Sequence, residues 1–223
     1  MIRYAMPVGV LAISFVMNLS AFDELRGAEV LMQGLENGMS FFVTGTGMGD
    51  GGNLDGLAGA DAYCQSLATA AGGGGRSWRA YLSTSQDGEP AVSARGRIGS
   101  GPWYNAEGVL IGESVDDLHE GMSRLGKETS LDENGAIIPG IGDEPNLHDM
   151  LTGSSSDGTP AVGMNCNNWT SNSEGNAMVG HHDRLGGGGV ERSWNSVHAT
   201  QGCSPANFEA TGGEGAFYCF AAD

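Results

Sequence analysis

The chain has 223 residues, with 10 lysines and arginines against 27 aspartates and glutamates, for a formal net charge of −17. A surface that negative repels nucleic acid, heparin-like polyanions and anionic lipid at long range, which leaves cations, neutral sugars and basic proteins as companions. The same charge serves solubility outside a cell.

Residues 1–21 read as an export signal: Arg3 gives a short positive start, Val8 to Val16 is a nearly unbroken apolar run, and Ala21 supplies the small residue at the cleavage point. The run is short for a membrane span, and an uncleaved anchor is the rival reading. Cleavage leaves about 200 residues, enough for one domain with a sizeable core. Residues 22–38 form an N-terminal extension, with Leu25, Ala28, Leu31, Met32 and Leu35 at helical steps between Asp23 and Asn37. The domain proper is 39–223.

Met39–Thr44 is a short apolar run and predicts the first strand. After the glycine-rich turn Gly45–Gly52, the spacing of Leu57, Ala60, Tyr63, Cys64, Leu67 and Ala68 predicts a helix over Gly59–Ala71. Asp61 favours its positive end, and four glycines, Gly72–Gly75, stop it. Trp78–Ser83 alternates like a second strand. Arg95–Ile98 leads into an aromatic corner at Trp103-Tyr104-Asn105. Val109–Ile111 is a further short strand, and Ser114 or Asp116 caps a brief helix through His119. From Leu131 to Asp149 the chain turns repeatedly, and Ser154–Pro160 is a polar loop, so regular βαβ alternation is excluded. No GxGxxG at a strand–helix junction and no GxxxxGK[ST] is present, which removes the usual nucleotide sites.

The segment Ser154–Ala221 holds three of the four cysteines, Cys166, Cys203 and Cys219, while Cys64 lies about a hundred residues upstream on the predicted helix. Within it, Leu185–Gly189 reads as a surface loop and Gly215–Ala221 as a last apolar strand. An even cysteine count in an exported chain predicts disulfides, in any of three pairings. No CxxC occurs, so neither a thioredoxin-like site nor a compact structural zinc site is expected.

The residues Gly59-Ala-Asp61-Ala-Tyr-Cys64, Trp78–Ser83, Cys166-Asn-Asn-Trp169, Cys203 and Phe217-Tyr218-Cys219 together resemble the C-type lectin-like fold. Within that fold they are most similar to its endostatin-like branch and bacterial exported relatives, over Phe41–Ala221. The resemblance implies an α+β, loop-rich domain with two nested disulfides, Cys64–Cys219 outside and Cys166–Cys203 inside. Calcium-dependent lectins of this fold carry Glu-Pro-Asn or Gln-Pro-Asp and Trp-Asn-Asp motifs. Here Glu144-Pro145-Asn146 precedes Cys166 rather than following it, and Trp194-Asn195-Ser196 lacks the final carboxylate. The endostatin-like basic patch and N-terminal zinc-binding histidines have no counterpart.

Candidate sites follow from side-chain chemistry. Asn165, Asn167, Asn168, Trp169, Arg184, Trp194 and Asn195 combine amide donors and acceptors with flat apolar faces, the chemistry that binds sugars. Core packing is the competing role for both tryptophans. Asp50, Asn53 and Asp55 offer oxygens to calcium, although the loop resembles an EF-hand in composition alone; turn formation and helix capping compete. His148, Asp149, His181, His182, Asp183 and His198 have the donor atoms for zinc, and the competing role is as hydrogen-bonded histidines that hold irregular loops together. On a strand His181 and His182 would point to opposite faces. Ser193 and Ser196 lie near His198 without a GxSxG elbow, and Asp149, Asp183 and Glu191 are the carboxylates for glycoside chemistry.

Together these features favour a non-catalytic recognition domain, in the periplasm, at the cell surface or outside the cell, that binds carbohydrate or glycan through its long-loop region. Its partners would be a glycan or an extracellular protein, with no nucleic acid and no stable membrane insertion once the signal is cleaved. A protein-interaction or structural role in an extracellular or envelope assembly ranks second and a metal-dependent hydrolase third. No cofactor is required; calcium ranks ahead of zinc.

Overall fold

The computed structural model describes residues 38–85, 90–185 and 193–223. The readings made for the signal segment, for the helical extension, for most of the Leu185–Gly189 loop and for Glu191 lie outside the described residues.

The architecture is mixed α+β and is built on the last strand, β8 (Gly213–Ala221). Its sequence is apolar at successive positions, so both faces must be covered. Phe217, Cys219 and Ala221 enter one hydrophobic cluster, and Ala216, Tyr218 and Phe220 enter another on the opposite face. Antiparallel to it run β1 (Phe41–Val43), with Phe41 opposite Phe220, and β2 (Trp78–Ala80), with Trp78 opposite Ala221. Strand β5 (Asp149–Leu151) pairs with the first half of β8 in parallel. Antiparallel pairing then carries the sheet outward through β6 (Met178–His181) to β7 (His198–Ala199). A separate ribbon joins β3 (Trp103–Tyr104) to β4 (Leu110–Gly112). The aromatic corner expected at Trp103 is therefore a strand, and its indole donates to Ala221 O at 3.0 Å.

Helix α1 (Gly56–Ala70) lies over the first cluster, and Ala60, Cys64 and Ala68 at four-residue steps give it a small-residue face that approaches the sheet closely. It begins three residues before the predicted start, because Asp55 and Gly56 take left-handed backbone at φ 55° and 67°. Asp61 does not serve the helix end as expected. It faces the sheet, where its carboxylate accepts from Arg79 Nη1 and Arg97 Nη2, each at 2.7 Å, and from Ala80 N at 2.9 Å. Three donors replace water around this buried side chain. Two one-turn helices are capped by serine hydroxyls: α2 (Val115–His119), where Ser114 accepts from Asp117 N, and α4 (Pro205–Glu209), where Ser204 accepts from Asn207 N. Between them in chain order, Cys166–Trp169 forms a left-handed turn, α3, with φ of 47°, 54°, 55° and 65°.

Both disulfides are closed, Cys64–Cys219 and Cys166–Cys203, with no free cysteine. The outer bridge pins α1 to β8, and the inner one anchors the left-handed turn to the segment before α4. Two closed disulfides are the mark of an oxidising compartment, extracellular or periplasmic. Among the described residues, no helix is long and apolar enough to cross a membrane.

Candidate functional site

The register of three short strands gathers most of the chain's histidines. In β5–β6, Asp149 stands opposite His181, and in β6–β7, His198 stands opposite Val179. Residues directly opposite share a sheet face, as do residues two apart on one strand, so Asp149, His181 and His198 project together. His148, just before β5, folds over this group and stacks on His181 with ring centroids 3.9 Å apart at 21°.

Asp149 Oδ1 is the hub. It lies 3.2 Å from His181 Nε2, 3.4 Å from His198 Nε2 and 3.5 Å from His148 Nε2, and the two nitrogens of His181 and His198 are 3.3 Å apart. Three of the four side chains are buried, while that of His198 is 38% exposed and marks the way in. Each ring also has an oxygen at its far nitrogen: Leu185 O at 3.1 Å from His181 Nδ1, Ala199 O at 3.3 Å from His198 Nδ1, and Asp183 Oδ2 at 3.5 Å from His148 Nδ1. Neither oxygen of Asp149 receives a well-aligned hydrogen bond. Asp183 is also buried. Desolvation pushes it up, but His148 and the amides of Ile141 (2.8 Å) and Leu185 (3.0 Å) hold it well below the usual range. Gly140 has no side chain because a Cβ there would lie 2.5 Å from Asp183 Oδ2.

His182 is not part of the cluster. Alternation turns it to the other side of the chain, where Nε2 faces Pro139 O at 3.3 Å, and burial pushes its pKa down to about 4, so it is neutral. Every member of the cluster was nominated by sequence. What sequence reasoning missed is the supporting set: the carbonyls of Leu185 and Ala199, and Gly212, whose Cβ would sit 3.3 Å from His148 Nε2.

The proposed sugar platform is corrected. Trp169 is fully buried and its indole donates to Ser83 O at 2.8 Å; Trp194 is buried and donates to Leu118 O at 2.9 Å. Asn195, 1% exposed, gives its amide to Tyr81 Oη and to the carbonyls of Ser155 and Ser156. None of the three presents a surface to a ligand. Arg184 reaches the carbonyl and hydroxyl of Ser123 at 3.4 Å. What remains of the set lies together: Asn165, Asn167 and Asn168 line a groove of about 490 Å³ with Ser85, Val162 and Gly163. Asn165 holds its shape by donating to Ser85 Oγ and Asn168 Oδ1, while Asn167 is exposed.

At the loop considered for calcium, the structure displays the competing role, a hydrogen-bonded turn. Asp50 accepts from Asn53 Nδ2 and from Asn172 Nδ2, both at 2.7 Å, and these two hydrogen bonds, Asn172 first, lower its pKa. A calcium loop turns amide oxygens towards its ion, not amide N–H groups. Asp55 caps nothing with its side chain and heads α1 instead. Of the two serines considered as nucleophiles, Ser193 gives its hydroxyl hydrogen to Asn195 Oδ1 at 2.9 Å rather than to a histidine. Asp149 and Asp183 face histidines in the interior rather than each other across a groove, which disposes of that pair for glycoside hydrolysis.

No family model matches the chain, and no curated protein matches it.

Proposed function

We propose that the chain is an exported, non-catalytic recognition domain of the C-type lectin-like kind, and that it binds a neutral, polyhydroxylated ligand, a glycan, in the groove beside the left-handed turn. The observation that carries this reading is the lining of that groove. Asn167 offers an exposed amide, the Ser85 hydroxyl keeps its hydrogen to donate because its oxygen already accepts from Gly163 and Asn165, and Val162, 83% exposed, adds an apolar face for sugar C–H groups. The nested order of the disulfides agrees with the resemblance read from the sequence, and a charge of −17 disfavours an anionic ligand. The inner disulfide fixes Cys166 behind the groove, between the lining residues Asn165 and Asn167, so the turn is held before any ligand arrives, which lowers the ordering cost of binding.

The test is a glycan array probed with the full chain, with and without calcium, alongside Val162→Asp. Saturable binding of a neutral glycan that weakens at least tenfold in Val162→Asp is the expected result. The absence of saturable binding to any glycan overturns the reading. If the chain instead forms a stable oligomer that Val162→Asp dissociates, the groove is a protein interface in an extracellular assembly.

A further inference from the structure

We propose that His148, Asp149, His181 and His198 form a binding site for a divalent transition-metal cation, zinc foremost, independent of the glycan groove. The argument begins with protons. Leu185 O and Ala199 O can only accept, so the nitrogens facing them, Nδ1 of His181 and of His198, are the ones that carry hydrogen. Nδ1 of His148 lies 3.5 Å from Asp183 Oδ2 without an aligned hydrogen bond, so its tautomer is not fixed in this way. A neutral imidazole has one N–H, so the Nε2 atoms of His181 and His198 present lone pairs, and they present them to a carboxylate oxygen.

Two nitrogen lone pairs and one carboxylate oxygen converging in a largely buried space, with His148 Nε2 3.5 Å from the same oxygen, repel one another unless positive charge sits between them. Protons on the rings are a poor source of it. His148 and His181 stack at 3.9 Å, and two imidazolium rings in that arrangement would repel each other in a buried site. A metal ion meets the requirement. Tetrahedral zinc with nitrogen and oxygen ligands at roughly 2.0–2.1 Å puts those ligand atoms roughly 3.3 Å apart. Four of the separations here are 3.2, 3.3, 3.4 and 3.5 Å. His148, Asp149 and His181 already satisfy the mutual spacing of a metal-ligand group by themselves. Carbonyl or carboxylate partners on the far nitrogens are the arrangement that fixes ring orientation and raises ligand basicity in metal sites. The buried Asp149 oxygens without aligned donors are explained at the same time.

The charges balance too: Asp149 and Asp183 together neutralise a divalent ion without leaving net charge in the interior. Imidazole and carboxylate ligands without sulfur suit zinc, and also copper(II) or nickel(II), better than calcium or magnesium. With four protein ligands the centre is closed, the pattern of a structural rather than a catalytic site. Its ligands come from β5, β6 and β7, so the ion would fasten the two-residue β7 to the sheet.

Chelator-stripped full chain titrated with zinc at neutral pH tests the site, with cobalt(II) as a spectroscopic probe. The wild type is expected to bind a single ion and to give the intense visible bands of tetrahedral cobalt. Asp183→Asn should weaken binding by roughly 10–100-fold, and His198→Ala by more, with far-UV circular dichroism unchanged. No binding of zinc, cobalt or copper by the wild type overturns the proposal, and so does equal binding by wild type and His198→Ala, which would put the ion elsewhere. Should a variant misfold, ¹⁵N NMR of the stripped wild type decides. Hydrogen on Nδ1 of His181 and His198 supports the site, and hydrogen on their Nε2 atoms makes it an ordinary hydrogen-bond network and refutes it.

Discussion

His119 shows how one side chain's protonation is dictated by its neighbours. Its Nδ1 lies 2.6 Å from Val115 O and must donate there, so Nε2 accepts from the Tyr81 hydroxyl at 2.7 Å, which in turn accepts from Asn195 Nδ2 at 2.9 Å. The chain of donors works only with a neutral ring, and burial pushes the His119 pKa below its ordinary 6.5. The unfolded chain therefore takes up a proton first, and stability is full above pH 6.5 and falls as the pH drops below it. Urea midpoints measured from pH 7 to pH 5 should decline, and His119→Gln should make that decline shallower; an unchanged slope would show that the ring charges in place without cost. At this scale the sequence was half legible. Alternation correctly set His181 and His182 on opposite sides, because that needs only strand geometry. It offered core packing for Trp169 and Trp194 beside a ligand role, and the structure takes the core role, but it could not show what holds them or that Asn195 is interior, because the partners Ser83, Leu118 and Tyr81 lie at least 76 residues away.

Among the elements, α1 was readable from its helical period, β2 from the alternation of the Trp78–Ser83 run around it, and β1 and β8 as the ends of continuous apolar runs. Strands β5, β6 and β7 were not. Segments of two to four residues, Asp-Met-Leu, Met-Val-Gly-His and His-Ala, have no period to detect and exist only by pairing. The histidine cluster depends on that pairing, so the sequence named its members without showing that they meet. Gly180 shows how tight the arrangement is, since a Cβ there would lie 1.9 Å from Trp194 O. The left-handed turn Cys166–Trp169 is equally hidden. Its i+4 bonds, Trp169 N to Asn165 O at 2.8 Å and Thr170 N to Cys166 O at 3.1 Å, close a turn of the hand that L-residues avoid at roughly 1–2 kcal/mol each. Asparagine tolerates this backbone and β-branched residues do not. Asn167→Val is accordingly expected to cost about 2 kcal/mol and Asn167→Gly close to nothing, by urea denaturation. Equal losses would show that the exposed Asn167 side chain, rather than the backbone, sustains the turn.

For the molecule as a whole, the two disulfides contribute unequally. The outer one spans 155 residues and the inner one 37. Chain entropy alone assigns them about 5 and about 4 kcal/mol. The double substitution Cys64→Ser, Cys219→Ser should therefore lower stability more than Cys166→Ser, Cys203→Ser, with equilibrium denaturation under non-reducing conditions as the measure. The reverse order would show that strain at the left-handed turn, released when the inner bridge is lost, outweighs loop length. Cysteine count alone left three pairings open; only the resemblance to a fold selected the nested one.

The central position of β8 has a consequence for how the chain is made. Residues 213–221 supply the edges on which β1, β2 and β5 assemble, and they leave the ribosome after all three. The ribbon of β5, β6 and β7 can pair before β8 is made, but β1 and β2 have no sheet partner until it arrives, and Cys64 must stay unpaired, or be rescued from a premature bond to Cys166, until Cys219 follows. Maturation of such a chain calls for a thiol-shuffling catalyst in an oxidising compartment.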